Sequence, residues 1–175
     1  MSLIQSKQRL NRKHALGFTL IEILIALVIL SIGLLGVASL QMQGLRNNQS
    51  AYLKSQASML VYDMADRMRV NAARALTGDY DGFNTDNYTP SDPACINQAA
   101  GCSAVDQSRT DLFQWAQQIE GTGNAAALLP DARGTIVRGA GTLFTVSVVW
   151  KETAWDNANS ANNVLDQTFS INFSL

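Results

Sequence analysis

The sequence of 175 residues predicts an α+β fold, in which a long N-terminal helix packs on a small antiparallel sheet. An apolar run from Phe18 to Leu40 leads into an amphipathic pattern, and no proline occurs before Pro90. This arrangement predicts one helix from about Phe18 to Leu76. Near the C-terminus, apolar and polar residues alternate, which predicts strands with one buried face. Such a sheet can cover the apolar side of the helix.

The predicted helix changes character along its length. As far as Leu40 it is apolar on all sides and spans about 34 Å, enough to cross the hydrocarbon core of a membrane. After Leu45, apolar residues recur at spacings of three, four and seven, and Gly78 offers a stop. This second half needs a packing partner. Its apolar stripe consists of Leu53, Ala57, Leu60, Met64, Met68 and Ala75.

The middle of the chain, residues 77–108, is rich in Gly, Asp, Asn, Thr and Ser, which predicts turns. A short helix is expected to follow, with Asp111 as its N-cap and Gln114 three residues later. Gly121 and Gly123 are expected to end it. The apolar face of this helix would be formed by Leu112, Trp115, Ala116 and Ile119.

Three strands are predicted in the last third of the chain. They are Thr135–Arg138, Leu143–Lys151 and Thr168–Leu175, and the last two alternate between apolar and polar residues. The segment between them, ETAWDNANSANNVLDQ, is polar and is expected to form a long hairpin loop.

A basic segment precedes the apolar run, and a single acid lies inside that run. The segment 1–17 carries +4 and the whole chain −1, which leaves −5 for the rest. Positive charge before an apolar helix keeps that end in the cytoplasm. Glu22 is costly inside a membrane, about 3 kcal/mol at the centre of a helix, so it is expected to need a partner charge. A cut between Gly17 and Phe18 would create one, the new α-amino group.

The segment GFTLIE, residues 17–22, followed by an apolar helix resembles the class III signal of type IV pilins and of the related pseudopilins of type II secretion. In that family a membrane-embedded aspartyl peptidase cuts after the glycine and N-methylates the new terminal residue. The resemblance therefore implies cleavage between Gly17 and Phe18 and N-methylation of Phe18. The segment LVILSIGLLG and the helix rich in Gln, Ala and Met after it are most similar to minor pilins of the PilV type.

This resemblance implies a pilin-like α+β architecture with three parts. Residues 1–17 would be a cleaved prepilin leader, 18–40 a transmembrane and filament-core helix, and 41–175 a periplasmic pilin-like domain. Glu22 would act in assembly by meeting the positive N-terminus of Phe18 on a neighbouring subunit. The implied protein is a minor pilin, stored in the inner membrane and incorporated into the pilus, that primes or modifies pilus assembly. Its implied partners are the prepilin peptidase, other minor pilins and the major pilin.

Two other functions stay open. The first is a minor pseudopilin of type II secretion, which would carry the same signal. The second is a periplasmic binding or enzyme domain on an uncleaved membrane anchor, which has no use for Glu22. Motility, adhesion and DNA uptake are roles of the family, and no residue of the chain selects among them.

Cys95 and Cys102 are the two cysteines, in the segment PACINQAAGC. A structural disulfide across this short loop is expected, and it fits an oxidising periplasm. Two free thiols or a redox-active pair remain as alternatives. The short CxxC spacing of redox enzymes and a four-ligand metal set are absent from the sequence.

The sequence argues against catalysis and against nucleic-acid binding. His14 is the one histidine and lies in the leader, so histidine-based nucleophilic sites and the usual zinc sites are excluded after cleavage. No cofactor is expected, and the charge of −5 after the leader disfavours direct DNA binding. The acidic segment Asp79–Asp86, with Asp81 and Asn84, has oxygen ligands of the kind that calcium prefers. It lacks the EF-hand spacing, and a solvated turn is the favoured interpretation.

Overall fold

The computed structural model describes residues 17–87, 91–123, 126–156 and 161–175, and over these residues the chain has the expected α+β fold. The strands form one antiparallel sheet in the order β1-β2-β3. A short 3-10 helix, Thr85–Asn87, precedes the third α-helix. The elements are α1 (Leu20–Val70), α2 (Ala72–Thr77), α3 (Ala104–Glu120), β1 (Arg133–Arg138), β2 (Leu143–Asp156) and β3 (Ala161–Ser174).

The chain divides into two compact units, the first ending at Leu45 and the second beginning at Arg46. In the first unit the helix is bare, since every described residue is exposed. Leu20 is 88% exposed and Leu40 is 75% exposed. Among the described residues, this helix is the one stretch long and apolar enough to cross a membrane, and no part of its most apolar window is buried.

The second unit has a core between α1, α3 and the sheet. The apolar stripe predicted for α1 is buried throughout, from Leu53 to Met68, and Ala75 is buried with it in α2. The sheet packs on α1, because the rings of Tyr62 and Phe169 lie 6.4 Å apart. The inward face of the central strand is also buried as predicted, with Phe144, Val146, Val148 and Trp150.

The long helix is not continuous to Leu76 as predicted, because it is interrupted at Asn71. The backbone of Asn71 leaves the helical region, with φ −110° and ψ 42°. Its side-chain amide donates to the carbonyl of Ala104 at 2.8 Å and to the hydroxyl of Tyr80 at 3.3 Å. These tertiary hydrogen bonds accompany the interruption, and the local sequence pattern contains no sign of them.

The predicted N-cap of the third helix was wrong. Ser103 caps α3, since its hydroxyl accepts a hydrogen bond from the backbone N–H of Asp106 at 3.1 Å. The helix therefore begins at Ala104, inside the segment that was expected to form turns. Asp111 lies within the helix and is 2% exposed. The predicted apolar face is correct, because Leu112, Trp115, Ala116 and Ile119 are all buried.

The strands are longer than predicted, and most of the expected hairpin loop is strand. The pairing of β2 with β3 runs from Leu143↔Ser174 to Asp156↔Ala161. β1 begins at Arg133, two residues before the predicted start. Backbone pairing requires a matching partner strand and not apolar side chains, so the hairpin continues past the end of the apolar alternation.

Candidate functional site

The predicted processing site lies just before the first helix. Gly17 to Thr19 are outside regular secondary structure, and α1 begins at Leu20. Gly17 is exposed, and Phe18 is 78% exposed. The peptide bond between them therefore lies outside regular secondary structure and between two exposed residues, where a peptidase can reach it. The leader residues 1–16, including its basic residues, lie outside the described part of the chain.

Glu22 lies in the first turn of α1, where the helix is capped by Thr19. The backbone N–H of Glu22 donates to the carbonyl of Thr19 at 3.1 Å and to its hydroxyl at 3.3 Å. A threonine followed three residues later by glutamate is the pattern of a capping box. A carboxylate in the first turn is also favoured by the positive end of the helix dipole. This local role of Thr19 was readable from the sequence and was missed.

An apolar groove runs beside Glu22 on the bare helix. It has a volume of 430 Å³, and Glu22 is the one charged side chain among the described residues that line it. Phe18 forms its start, so the predicted cleavage point and the acid border the same groove. The remaining lining residues are Ile23, Ala26, Leu27 and Leu30.

The predicted disulfide is confirmed. Cys95 and Cys102 are joined, with their Cα atoms 4.9 Å apart. Cys95 is 3% exposed, and its sulfur lies 3.6 Å from the hydroxyl of Thr110 in α3. The bridge therefore closes a surface loop and holds one end of it against α3.

The acidic segment Asp79–Asp86 uses its oxygens within the protein. Asp79 receives two hydrogen bonds from Arg74, both at 2.7 Å, and this contact holds the pKa of the Asp79 carboxyl below its usual range. Asp81 accepts from the backbone N–H of Arg138 at 3.1 Å. Asn84 accepts from the N–H of Asp86 at 3.0 Å. Among the described residues, no group of three or more His, Cys, Asp or Glu side chains is placed to hold a metal ion.

A buried polar network joins α1 to α3, and no prediction from the sequence included it. Asp111 accepts hydrogen bonds from the hydroxyl of Tyr80 at 2.7 Å and from the amide of Gln107 at 2.8 Å. The guanidinium of Arg67 lies 3.6 Å from the same carboxylate. Burial, followed by the hydrogen bond to Asp111, raises the pKa of Tyr80. The one available signal was the S-x-x-D pattern of Ser103 and Asp106, which would have placed Asp111 inside the helix.

Comparison with protein families gives two adjoining matches. Residues 12–38 match the prokaryotic N-terminal methylation motif, and residues 39–113 match the family described as type IV pilin Tt1218. Together they run without a gap over more than half of the chain. No curated protein and no solved structure matches the chain.

The two matches agree with the geometry of both units. The methylation motif covers the predicted cleavage point, Glu22 and most of the bare apolar helix. The pilin match covers the buried stripe of α1, the disulfide and the first half of α3. The exposed apolar helix, most of which lies within the methylation motif, fits membrane anchoring and incorporation into a pilus. The chain therefore belongs to the type IV pilin family and is a pilin subunit.

Proposed function

We propose that the protein is a minor pilin that primes or modifies assembly of a type IV pilus after removal of its leader. The observation that carries the proposal is the single acid on a fully exposed apolar helix, four residues after the expected new N-terminus. An apolar helix of this length needs a nonaqueous surrounding, first the membrane and then the helices of neighbouring subunits. The similarity to minor pilins of the PilV type, read from the sequence, supports the assignment to the minor class.

Glu22 would give the assembled helices their register. Cleavage between Gly17 and Phe18 would leave a positive α-amino group on Phe18, and Glu22 of an adjacent subunit could pair with it. A buried ion pair fixes geometry more reliably than it adds stability. The groove shared by Phe18 and Glu22 is open on the isolated chain, which fits a neighbouring helix covering both residues.

The second unit would lie in the periplasm before assembly. Two features support this orientation: the positive leader ahead of the apolar helix, and the disulfide between Cys95 and Cys102. Disulfides persist in oxidising compartments such as the periplasm. The second unit would then select which pilins become neighbours and would present its surface on the filament.

The first test is mass spectrometry of the mature N-terminus of protein recovered from membranes. We expect N-methylated Phe18 and no residue before it. The control is the same strain without its prepilin peptidase, in which the chain should begin with the leader intact. An intact leader in cells with an active peptidase would contradict the proposal, because the helix would then be an ordinary anchor.

The second test separates processing from assembly. Glu22→Ala should still be cleaved and methylated, whereas its recovery in sheared pili should fall by at least about tenfold, since the pairing charge is gone. Asp66→Ala is the matched control, because Asp66 is an exposed acid on the same helix, paired locally with Arg69. Equal recovery of both variants would remove the proposed role of Glu22.

The third test separates a pilus subunit from a secretion pseudopilin. Deletion of the gene should reduce the number of surface pili and leave secretion of folded exoproteins unchanged. The opposite result would assign the chain to type II secretion. A reduction in pilus number with pili still present would support a minor pilin, because loss of a major pilin removes the filament.

A further inference from the structure

The two edges of the sheet differ in whether their outward backbone groups are bonded. Strand β1 is one edge, and alternate N–H groups along it point away from β2. Each of these three donors has an acceptor in the segment 81–85. Ile136 donates to the carbonyl of Phe83 at 2.9 Å, Gly134 to the hydroxyl of Thr85 at 3.1 Å, and Arg138 to the carboxylate of Asp81 at 3.1 Å. This edge is closed.

Strand β3 is the other edge, and its bonding pattern follows from its last residue. The N–H of Leu175 donates to the carbonyl of Thr142 at 3.1 Å, which makes this pair a hydrogen-bonded one. Antiparallel ladders alternate, so the odd residues from Phe173 back to Asn163 face β2. The N–H and C=O groups of Thr168, Ser170 and Asn172 therefore point outward. No strand in the described part of the chain pairs with this edge.

The open edge lacks the devices that usually protect such a strand. Proteins block pairing at an edge with lysine, proline, bulges or very short strands. β3 has 14 residues, pairs with β2 without a bulge, and contains no proline, lysine or glycine. From Thr168 to Ser174 its outward-facing positions carry only small neutral side chains. Its one acid, Asp166, is bonded to Arg133 at 2.9 Å and so is directed across the sheet.

We propose that the outer edge of β3, from Thr168 to Ser174, binds an extended segment of a different pilin subunit by adding it as a fourth strand. Backbone hydrogen bonds would supply the affinity, as in other cases of strand addition. The neutral side chains of β3 favour a partner segment without charge at the facing positions, since a charge there would find no counter-charge. This inference rests on the proposed function, because it assumes that other pilins are neighbours.

Two pairings between copies of this chain fit the open edge less well. The β1 edge of a second copy is already bonded to its own segment 81–85. Pairing β3 with another β3 in antiparallel fashion creates a twofold axis normal to the sheet. That axis reverses the direction of the part of α1 that packs on the sheet, at Tyr62 and Arg69. Subunits of one filament enter it from the same membrane, which disfavours this antiparallel self-pairing and favours a different pilin as the source of the strand.

The experiment is amide hydrogen exchange on the full processed chain in detergent micelles. The probes are the major pilin and each other minor pilin of the same organism, as full chains in the same detergent. Alone, the amides of Thr168, Ser170 and Asn172 should exchange at least about tenfold faster than those of Phe169, Ile171 and Phe173. One of the pilins should slow the first set by at least about tenfold and leave the second set unchanged.

A substitution at the centre of the edge tests the same contact. Ser170→Pro removes one outward N–H, and proline is tolerated where that group faces solvent. The variant should keep its fold and lose the protection, whereas Ser170→Ala should keep both. If Ser170→Pro does not fold, Ser170→Lys takes its place, since lysine is a natural block at sheet edges.

The remaining outcomes separate the two proposals. Binding of a pilin without protection of the outward amides would overturn strand addition and leave the proposed function intact. Protection that grows with the concentration of this chain alone would mean self-pairing and would also overturn it. An uncleaved leader together with no binding to any pilin would overturn both.

Discussion

The two edges of the sheet differ in whether their outward backbone groups have hydrogen-bond partners. On β1 every outward N–H from Gly134 to Arg138 is bonded by a segment that lies about fifty residues earlier in the chain. On β3 the outward groups from Thr168 to Asn172 have no partner strand among the described residues. The difference shows that the backbone groups of a sheet edge are bonded where tertiary packing places another segment beside it. Where the described part of the chain supplies no such segment, they stay available.

The segment that closes the β1 edge, residues 81–85 (the covering segment), also packs into the core. The bridge between Asn84 and Thr135 places the covering segment beside β1, and the ring of Phe83 lies 5.6 Å from that of Trp115. The segment is therefore bound through its backbone and through its side chains. Substitutions on the two edges should consequently have unequal effects, even when the chemical change is the same.

The largest effect is expected from Gly134→Ala. A Cβ on Gly134 would meet Ile119 and would lie 2.8 Å from the ring of Trp115, so this packing must shift. We expect a loss of about 3 kcal/mol in the free energy of unfolding, typical of an overpacked core. Urea unfolding measures it. Ser170→Ala on β3 is the control and should change stability by less than about 0.5 kcal/mol.

Loss of the disulfide is expected to cost about 2–3 kcal/mol, because the bridge limits the unfolded chain. The double variant Cys95→Ala and Cys102→Ala should therefore unfold at lower urea concentration than the wild type. The loop follows the covering segment in sequence and is held to α3 through Thr110. In this variant, hydrogen exchange of the Ile136 amide should become faster to the same extent as exchange throughout the second unit. Faster amide exchange in β1 alone would show that the disulfide stabilises only the covered edge of the sheet.

The same substitution at both edges gives the sharpest comparison. Thr85→Val removes the acceptor of the buried Gly134 N–H and keeps the shape of the side chain. An unsatisfied buried donor costs about 2 kcal/mol, which thermal unfolding can detect. Thr168→Val on the open edge removes no comparable bond and should stay within about 0.5 kcal/mol of wild type. Equal effects would mean that the two edges do not differ as described.

The smallest effect is expected at Asp79, which precedes the covering segment. Arg74 lowers the pKa of Asp79, so the contact stabilises the fold above the unfolded pKa of about 3.9 and is lost as pH falls through the lower folded value. Asp79→Asn should cost about 1 kcal/mol or less at pH 7. The difference from wild type should shrink as pH falls below the unfolded pKa, because the Asp79 carboxylate then becomes protonated. At pH 7, Asp131→Asn, whose pair with Lys151 is exposed, should show a smaller effect than Asp79→Asn.

Periodic features of the fold could be predicted from the sequence. The apolar run, the stripe of α1 and the inward face of β2 follow from spacing alone, because burial of one face imposes a period on the residues. The processing motif was equally local, and the match to the N-terminal methylation motif covers the same residues, whereas the cleavage itself stays a prediction. The contact between neighbouring subunits that would use Glu22 remains a prediction.

The errors have a common physical origin in contacts between distant residues. Asn71 interrupts the helix while bonded to Ala104, and Asp111 is buried because Tyr80 and Gln107 donate to it. The covering of β1 depends on Phe83 and Thr85, which local propensity assigned to turns. β2 and β3 continue through polar residues because each strand provides the backbone hydrogen-bond partner of the other. None of these events leaves a period in the sequence.

The ties between α1 and α3 have a mechanical consequence. Hydrogen bonds connect Leu60 with Trp115 and Arg67 with Gln114, and a third joins Asn71, directly after α1, to Ala104. The two helices therefore run in opposite directions. In an assembled filament, tension would pull on α1 along its axis. That pull would load the three hydrogen bonds together in shear, so forced unfolding would require them to break as a group and would be slower.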